Sequence, residues 1–228
     1  MQFTNKKVLL FDLDGTLVDS VPDLALSINA MLESLGKKTY PIDTVRQWVG
    51  NGAEALVARA LSGETTIDKG LEPLVLSKAL DIFLEFYAQN VSVESVAYPE
   101  VLQTLTTLKN RGYRLTIVTN KPIAFVEPLL SNLGLYHLFE YSIGGDSLEQ
   151  KKPHPLPLLH ICEKLDVSVQ ECVMIGDSKN DILASKEAKM QSIAVSYGYN
   201  YGEDIALHKP EAIVDSFQNI LALFEKQG

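Results

Sequence analysis

The stretch Val8-Leu9-Leu10-Phe11-Asp12-Leu13-Asp14-Gly15-Thr16 runs four apolar residues directly into two acids, a glycine and a hydroxyl. A short, unbroken apolar run is the pattern of a strand covered on both faces, as in parallel sheets. Runs of the same kind recur at Leu115-Thr116-Ile117-Val118, Tyr141-Ser142-Ile143, Cys172-Val173-Met174-Ile175, Ser192-Ile193-Ala194-Val195 and Ala212-Ile213-Val214. Helical stretches separate most of them. The segment from Pro99 to Arg111 places proline at a first-turn position and stops at Gly112, and Pro122 to Leu133 repeats that punctuation before Gly134. Strand and helix alternating in this way predict right-handed βαβ units and an α/β fold on a parallel sheet.

One region breaks the rhythm. From about Ser20 to Asn90 the pattern is helical, with no strand. Ser20 is placed to cap a helix with Pro22 near its first position; Leu24, Ile28, Met31, Leu32 and Leu35 form its apolar stripe, and Gly36 ends it. Leu80, Phe83, Leu84 and Tyr87 mark another helix. The expectation is a helical insertion between the first strand and the rest of the sheet.

With 228 residues and 46% apolar content, the chain can bury a core without staples, which excludes disorder as its main state. A net charge of −9 makes nucleic acid and anionic membranes poor partners for the molecule as a whole. The two cysteines, Cys162 and Cys172, sit in apolar segments and read as buried, reduced thiols. Acid follows four apolar residues near the N-terminus, too few for a signal h-region, and no run approaches a membrane span. A soluble, cytoplasmic protein is expected, as a monomer or weak homodimer.

In open parallel sheets, ligands bind beyond the carboxyl ends of the strands. There the sequence places Asp12-Leu13-Asp14-Gly15-Thr16, Thr119-Asn120-Lys121, Lys151-Lys152-Pro153-His154-Pro155 and Gly176-Asp177-Ser178-Lys179-Asn180-Asp181. Three acids, a hydroxyl and a lysine would converge on one rim. Asp12 and Asp14, two apart at a strand end, can point to one side, where a hard cation such as Mg²⁺ would relieve their repulsion with Asp177 completing the site. A lone Asp-x-Asp is also found in solvated turns and helix caps. A calcium loop is excluded, because Leu17 sits where the sharp-turn glycine must be. Gly15 suits a backbone turning tightly around a phosphate. Thr119 taken alone could be a helix cap, and Lys152 taken alone a surface lysine. Lys152 beside a phosphoryl group would offset charge between nucleophile and substrate. Asp181, four residues after Asp177 at a helix start, is expected to order the loop rather than touch substrate. His154, between two prolines, reads as a loop-shaping residue, and His137, His160 and His208 have no company that makes a zinc site.

These four stations, in this order, resemble the haloacid dehalogenase-like hydrolase superfamily. Asp12-Leu13-Asp14-Gly15-Thr16 matches its first motif, Thr119 its second, Lys152 its third, and Gly176-Asp177 with Asp181 its fourth. The resemblance spans the chain and implies a Rossmann-like core over residues 1–18 and 91–228, with residues 19–90 as a helical cap. It implies that Asp12 attacks phosphorus to form an aspartyl-phosphate, while Asp14 protonates the leaving oxygen and then activates water. Mg²⁺ would be held by Asp12, the Asp14 backbone carbonyl and Asp177, and the phosphoryl oxygens by Thr119, Asn120 and Lys152.

Within the superfamily, Gly50-Asn51-Gly52-Ala53, Thr119-Asn120-Lys121-Pro122, Gly144-Gly145-Asp146, Lys152-Pro153-His154-Pro155 and Tyr197-Gly198-Tyr199 resemble the bacterial phosphoglycolate phosphatases. That resemblance implies hydrolysis of 2-phosphoglycolate to glycolate and phosphate, a small step of carbohydrate metabolism, with Gly50, Asn51 and Gly52 meeting the carboxylate end. Exposed N–H groups in a glycine-rich turn suit an anion. Taken without the other motifs, the same turn is a helix–helix connection. Leu156, Lys189 and Met190 depart from the usual pattern, outside the proposed chemistry. The alternatives are a broad-specificity sugar phosphatase or a β-phosphoglucomutase-like enzyme. A phosphonate hydrolase would need a cap lysine near substrate, and Lys37, Lys38 and Lys69 sit in no matching motif. A binding module without turnover, the reading from another class, would bind phosphate and release no product.

Overall fold

The computed structural model describes residues 3–224. Strand β1 (Val8–Phe11) and the two-residue β2 (Val18–Asp19) precede four helices: α1 (Val21–Ser34), α2 (Ile42–Arg46), α3 (Ala53–Ser62) and α4 (Pro73–Gln89). The chain returns through β3 (Val96–Ala97), which pairs antiparallel with β2. Helix and strand then alternate through α5 (Val101–Asn110), β4 (Arg114–Val118), α6 (Val126–Asn132), β5 (Tyr141–Ile143), α7 (Leu156–Leu165), β6 (Cys172–Gly176), α8 (Lys179–Ala188), β7 (Gln191–Val195) and β8 (Ala212–Val214).

Six strands form a parallel sheet in the order β5-β4-β1-β6-β7-β8. In its register Phe11 lies level with Ile117 and Ile175, so the carboxyl ends of β1, β4 and β6 stand side by side. Every residue of β1 is buried. Leu9 and Phe11 enter one apolar core with α5 and α6, while Val8 and Leu10 enter the other with α7 and α8. This double coverage explains why the strand contains no polar residue. Burying its four side chains contributes on the order of 8 kcal/mol of transfer free energy.

The helical insertion packs on itself through the expected stripe: Leu24, Ile28, Met31 and Leu32 of α1 are buried with Phe83 and Tyr87 of α4. Its return path is tied by a residue that sequence periodicity does not reveal. Both carboxylate oxygens of the fully buried Asp23 accept bonds, from the backbone N–H groups of Glu94 and Ser95 at 2.9 and 2.8 Å and from the Ser95 hydroxyl at 2.6 Å.

Three local expectations are corrected. Pro99 does not begin a helix: Tyr98 is bonded to the Leu17 carbonyl, the chain turns through Pro99 and Glu100, and α5 starts at Val101. Pro122 opens a single 3₁₀ turn, Ile123–Phe125, because the Ile123 N–H is bonded to Asp146; α6 follows from Val126. Ser20 precedes α1 without a side-chain cap, its hydroxyl being turned to Asp14 at 2.5 Å.

Candidate active site

Asp12 leaves β1 at the centre of the rim, where its backbone N–H still bonds the Ile175 carbonyl of β6. Lys152, in the turn before α7, is buried with only 2% of its side chain exposed. Its ammonium donates to the Val118 carbonyl and to Asp181 Oδ1, each at 2.6 Å, and stands 3.0 Å from Asp12 Oδ1. Burial by itself would lower the lysine pKa, but the carboxylates of Asp12 and Asp181 outweigh it and hold the ammonium charged. A surface location for Lys152 is excluded; the neighbouring Lys151 is the exposed one.

Asp181 takes two roles at once. Its Oδ2 accepts from the N–H and hydroxyl of Ser178, closing a capping box at the start of α8, and its Oδ1 fixes Lys152. Asp177, at the end of β6, accepts from the Thr16 hydroxyl at 2.7 Å and the Tyr199 N–H at 2.5 Å. Gly15 makes that approach possible: its φ is +90°, and a Cβ there would lie 2.3 Å from Asp177 Oδ2.

Oxygens of Asp12, Asp177 and Asp181 all lie within 4.8 Å of one another. Burial pushes Asp12 up to about 6, against the opposing pull of Lys152, and pushes Asp177 well above the usual carboxylate range, with Asp12 and Asp181 adding to it. Among the described residues the buried Asp12 Oδ1 has no polar partner besides the Lys152 ammonium. Crowded, buried carboxylate oxygens facing a single cation are a donor set that fits a hard divalent cation.

Asp14 faces elsewhere. Its carboxylate accepts from Ser20 and from Lys121, whose ammonium lies 3.0 and 3.3 Å from the two oxygens. Asp181 joins Asp12 and Asp177 in the carboxylate cluster, while the Asp14 side chain, on the same cleft, is engaged by Ser20 and Lys121. The backbone turns at Leu13, whose carbonyl accepts from Thr16, Leu17 and Val18.

Asp12 and Asp14 open together into a narrow cleft, with a cavity of about 40 Å³, between the sheet rim and the inserted helices. The rim supplies Thr119, Asn120 and Lys121; the insertion supplies Gly50, Gly52, Leu56, Phe83 and Tyr87. Gly52 precedes α3 with φ +86°, and a Cβ there would meet the Asn120 carbonyl at 2.9 Å. The first turn of α3 thus approaches the cleft without a side chain in the way. The Gly50 carbonyl accepts from both Asn120 and Asn180 at 3.0 Å, which fastens the insertion to the rim. The Asn51 side chain is held by Arg59 at 2.8 Å. Asn120 also donates to the Lys152 carbonyl at 2.9 Å, so its amide hydrogens brace the site rather than point freely into it. The Thr119 hydroxyl accepts the Lys121 N–H at 3.2 Å and starts no helix.

His154 accepts the Leu156 N–H at 3.1 Å, as a loop-shaping residue should. Lys37, Lys38 and Lys69 are exposed and line no part of this cleft. Lys121, Thr16, Tyr199 and Asn180 lie inside stretches that the sequence marks, and Tyr87 on a helical stripe, but the sequence assigns none of them a role of its own. Lys121 carries the most usable signal, being adjacent to Asn120 at a strand end.

An open parallel sheet with an acid at its central strand end, a buried lysine on that acid and a helical insertion over both defines a hydrolase of the haloacid dehalogenase-like class. The chain belongs to that family: the haloacid dehalogenase-like hydrolase model matches residues 6–189. It is 53% identical over 221 residues to a phosphoglycolate phosphatase of Colwellia psychrerythraea, covering 97% of this chain and 98% of the relative. A phosphoglycolate phosphatase of Psychrobacter arcticus is 49% identical, with 95% of each chain covered. Among solved structures, a predicted phosphoglycolate phosphatase from Haemophilus somnus superposes with a TM-score of 0.89 at 39% identity, covering 96% of this chain and 98% of that one. No helix among the described residues is long and apolar enough to cross a membrane.

Proposed function

We propose that the chain is a Mg²⁺-dependent phosphatase that hydrolyses 2-phosphoglycolate to glycolate and phosphate through an aspartyl-phosphate. The observation that carries this reading is the contact of Lys152 with Asp12, inside a small cleft that Asp14 also enters. Asp12 Oδ attacks phosphorus; the phosphorus–oxygen bond to the substrate breaks, and Asp14 gives its proton to the departing alkoxide. Asp14, now a base, takes a proton from water as that water attacks the phosphoryl group on Asp12. Phosphate leaves and Asp12 is restored. The Lys152 ammonium offsets the charge on the phosphoryl oxygens, the Thr119 hydroxyl donates a hydrogen bond to them, and Asn120 keeps the Lys152 turn against the rim. Asp181 acts through Lys152, holding its ammonium in place.

Asp12, the Asp14 carbonyl and Asp177 would hold the Mg²⁺, with Asp181 beside them. Bound there, the ion supplies positive charge to the equatorial phosphoryl oxygens. Residues 19–90 form the cap over a core of residues 1–18 and 91–228. Gly50, Asn51 and Gly52 present the first turn of α3 to the acid end of the substrate. The names of the relatives support the choice of substrate, and the narrowness of the cleft supports a small one. A cytoplasmic location accords with the unbridged Cys162 and Cys172, and the enzyme is proposed to act as a monomer or weak homodimer.

The test is phosphate release with Mg²⁺ from 2-phosphoglycolate, β-glucose 1-phosphate, phosphonoacetaldehyde and common sugar phosphates. A kcat/KM preference for 2-phosphoglycolate of about 10²-fold, roughly 2.7 kcal/mol of differential transition-state binding, is expected. A flat profile overturns the substrate assignment and leaves a general phosphatase.

A further inference from the structure

The apolar wall of the cleft contains one hydroxyl with nothing to donate to. Tyr87 of α4 is 1% exposed; its oxygen lies against the Lys121 ammonium, and its proton finds no acceptor among the described residues. Its ring is fixed from two sides, stacked on Phe83 with centroids 5.7 Å apart and edge-on to Phe125 at 5.0 Å. A buried hydroxyl proton without an acceptor costs about 1–3 kcal/mol, a cost relieved when a ligand accepts its hydrogen bond. Burial pushes the phenol up to about 12, so at neutral pH it remains a donor.

Lys121 lies against the same ring. Its ammonium is 4.6 Å from the Tyr87 centroid, buried, and held charged because Asp14 and Tyr87 outweigh the penalty of burial. An ammonium has three donors. With Asp14 engaged on one side, the group still offers charge to the cleft that it and Tyr87 both line.

We infer that Tyr87 and Lys121 share the cleft with the turn at Gly50 and Gly52 and supply the side-chain donors that recognise the carboxylate of the substrate's leaving group. This assignment rests on the 2-phosphoglycolate reading and adds to it a specificity-determining pair, one residue from the cap and one from the core. The connectivity of the substrate supports it. Asp14 must meet the bridging oxygen, and the carboxylate carbon is two bonds beyond that oxygen. Lys121 is bonded to Asp14 and Tyr87 stands beside Lys121, so both residues lie on the leaving-group side of the cleft, which the turn at Gly50 and Gly52 also lines. Leu24, Phe83 and Phe125 wall this end and keep water from competing for the carboxylate.

The test compares 2-phosphoglycolate with 2-hydroxyethyl phosphate, which carries a neutral hydroxyl in place of the carboxylate, in wild type and Tyr87→Phe. The phenylalanine keeps both ring contacts, and a melting curve verifies the fold. The ratio of the two kcat/KM values should fall at least tenfold in Tyr87→Phe, through KM for 2-phosphoglycolate rather than kcat. Glycolate, added as an inhibitor of 2-hydroxyethyl phosphate hydrolysis, should bind at least tenfold more weakly to the variant. A wild type that treats both esters alike overturns the substrate reading and this subsite with it. A wild type that discriminates, together with a Tyr87→Phe ratio within twofold of it and an unaltered glycolate affinity, overturns the subsite alone.

Discussion

Lys152 Nζ stands 3.0 Å from Asp12 Oδ1, and the two side chains are 2% and 13% exposed. The ammonium also donates to Val118 and Asp181, so it is held in place against Asp12, for which it is the one neighbouring donor on Oδ1 among the described residues. An attacking carboxylate benefits from this arrangement, because a single fixed cation compensates its charge and orients it.

Removing that ammonium should therefore harm both catalysis and folding. Lys152→Met is expected to lower kcat/KM by about 10²-fold or more, the scale of one lost transition-state donor. It also leaves the buried carboxylates of Asp12 and Asp181 facing each other, so its melting temperature at pH 7 should fall as well. Steady-state kinetics and thermal unfolding check the two effects, and wild-type kcat/KM in Lys152→Met would exclude a role for the lysine in turnover.

The raised pKa of Asp12 sets a pH dependence in metal-free protein. Folded Asp12 takes up its proton near 6, whereas an unfolded aspartate does so near 3.8. Its stabilising contribution is thus fully present below 3.8 and is lost as pH rises through 6, by up to about 3 kcal/mol. Asp12→Asn cannot ionise. Its stability relative to wild type, measured by urea unfolding in chelator, should increase between pH 4 and pH 7. A constant difference across that range would contradict the shift.

Asp23 is a test of architecture rather than chemistry. Asp23→Ala strands the buried N–H groups of Glu94 and Ser95 and should cost about 3 kcal/mol in urea unfolding. Amide exchange at those two positions should quicken most. Stability within about 0.5 kcal/mol of wild type would show that water replaces the carboxylate there.

Much of this was legible in the sequence, for a physical reason. Strands covered on both faces have no polar side to interrupt them, so β1 and the other five sheet strands stand out as apolar runs. The rim acids then follow from where strands end. The two-residue β2 and β3 leave no such trace, because a pair of residues has no period. Asp23 looks like an ordinary acid in a first helical turn; only the return of the chain 71 residues later reveals its bonds. Tyr87 recurs four residues after Phe83 and so reads as core, although its hydroxyl faces the cleft wall. Pro99 misleads because proline serves the turn before a helix as readily as the first position within it.

Lys189 shows how a sequence departure is absorbed. It ends α8 in the left-handed region at φ 58°, exposed to solvent, where glycine is the relaxed choice. Lys189→Gly should stabilise the protein by about 0.5–1 kcal/mol in urea unfolding, with kcat/KM unchanged. A loss of stability would mean that the lysine side chain makes an interaction that outweighs its backbone strain.

The central claim is that Asp12 becomes phosphorylated. Enzyme turning over 2-phosphoglycolate with Mg²⁺ can be quenched in acid and reduced with borohydride, which converts an aspartyl-phosphate to homoserine. Peptide mass spectrometry should then find homoserine at position 12 and at no other aspartate. Homoserine at Asp14, Asp177 or Asp181, or its absence from an enzyme quenched in active turnover, would contradict the assignment of Asp12 as nucleophile.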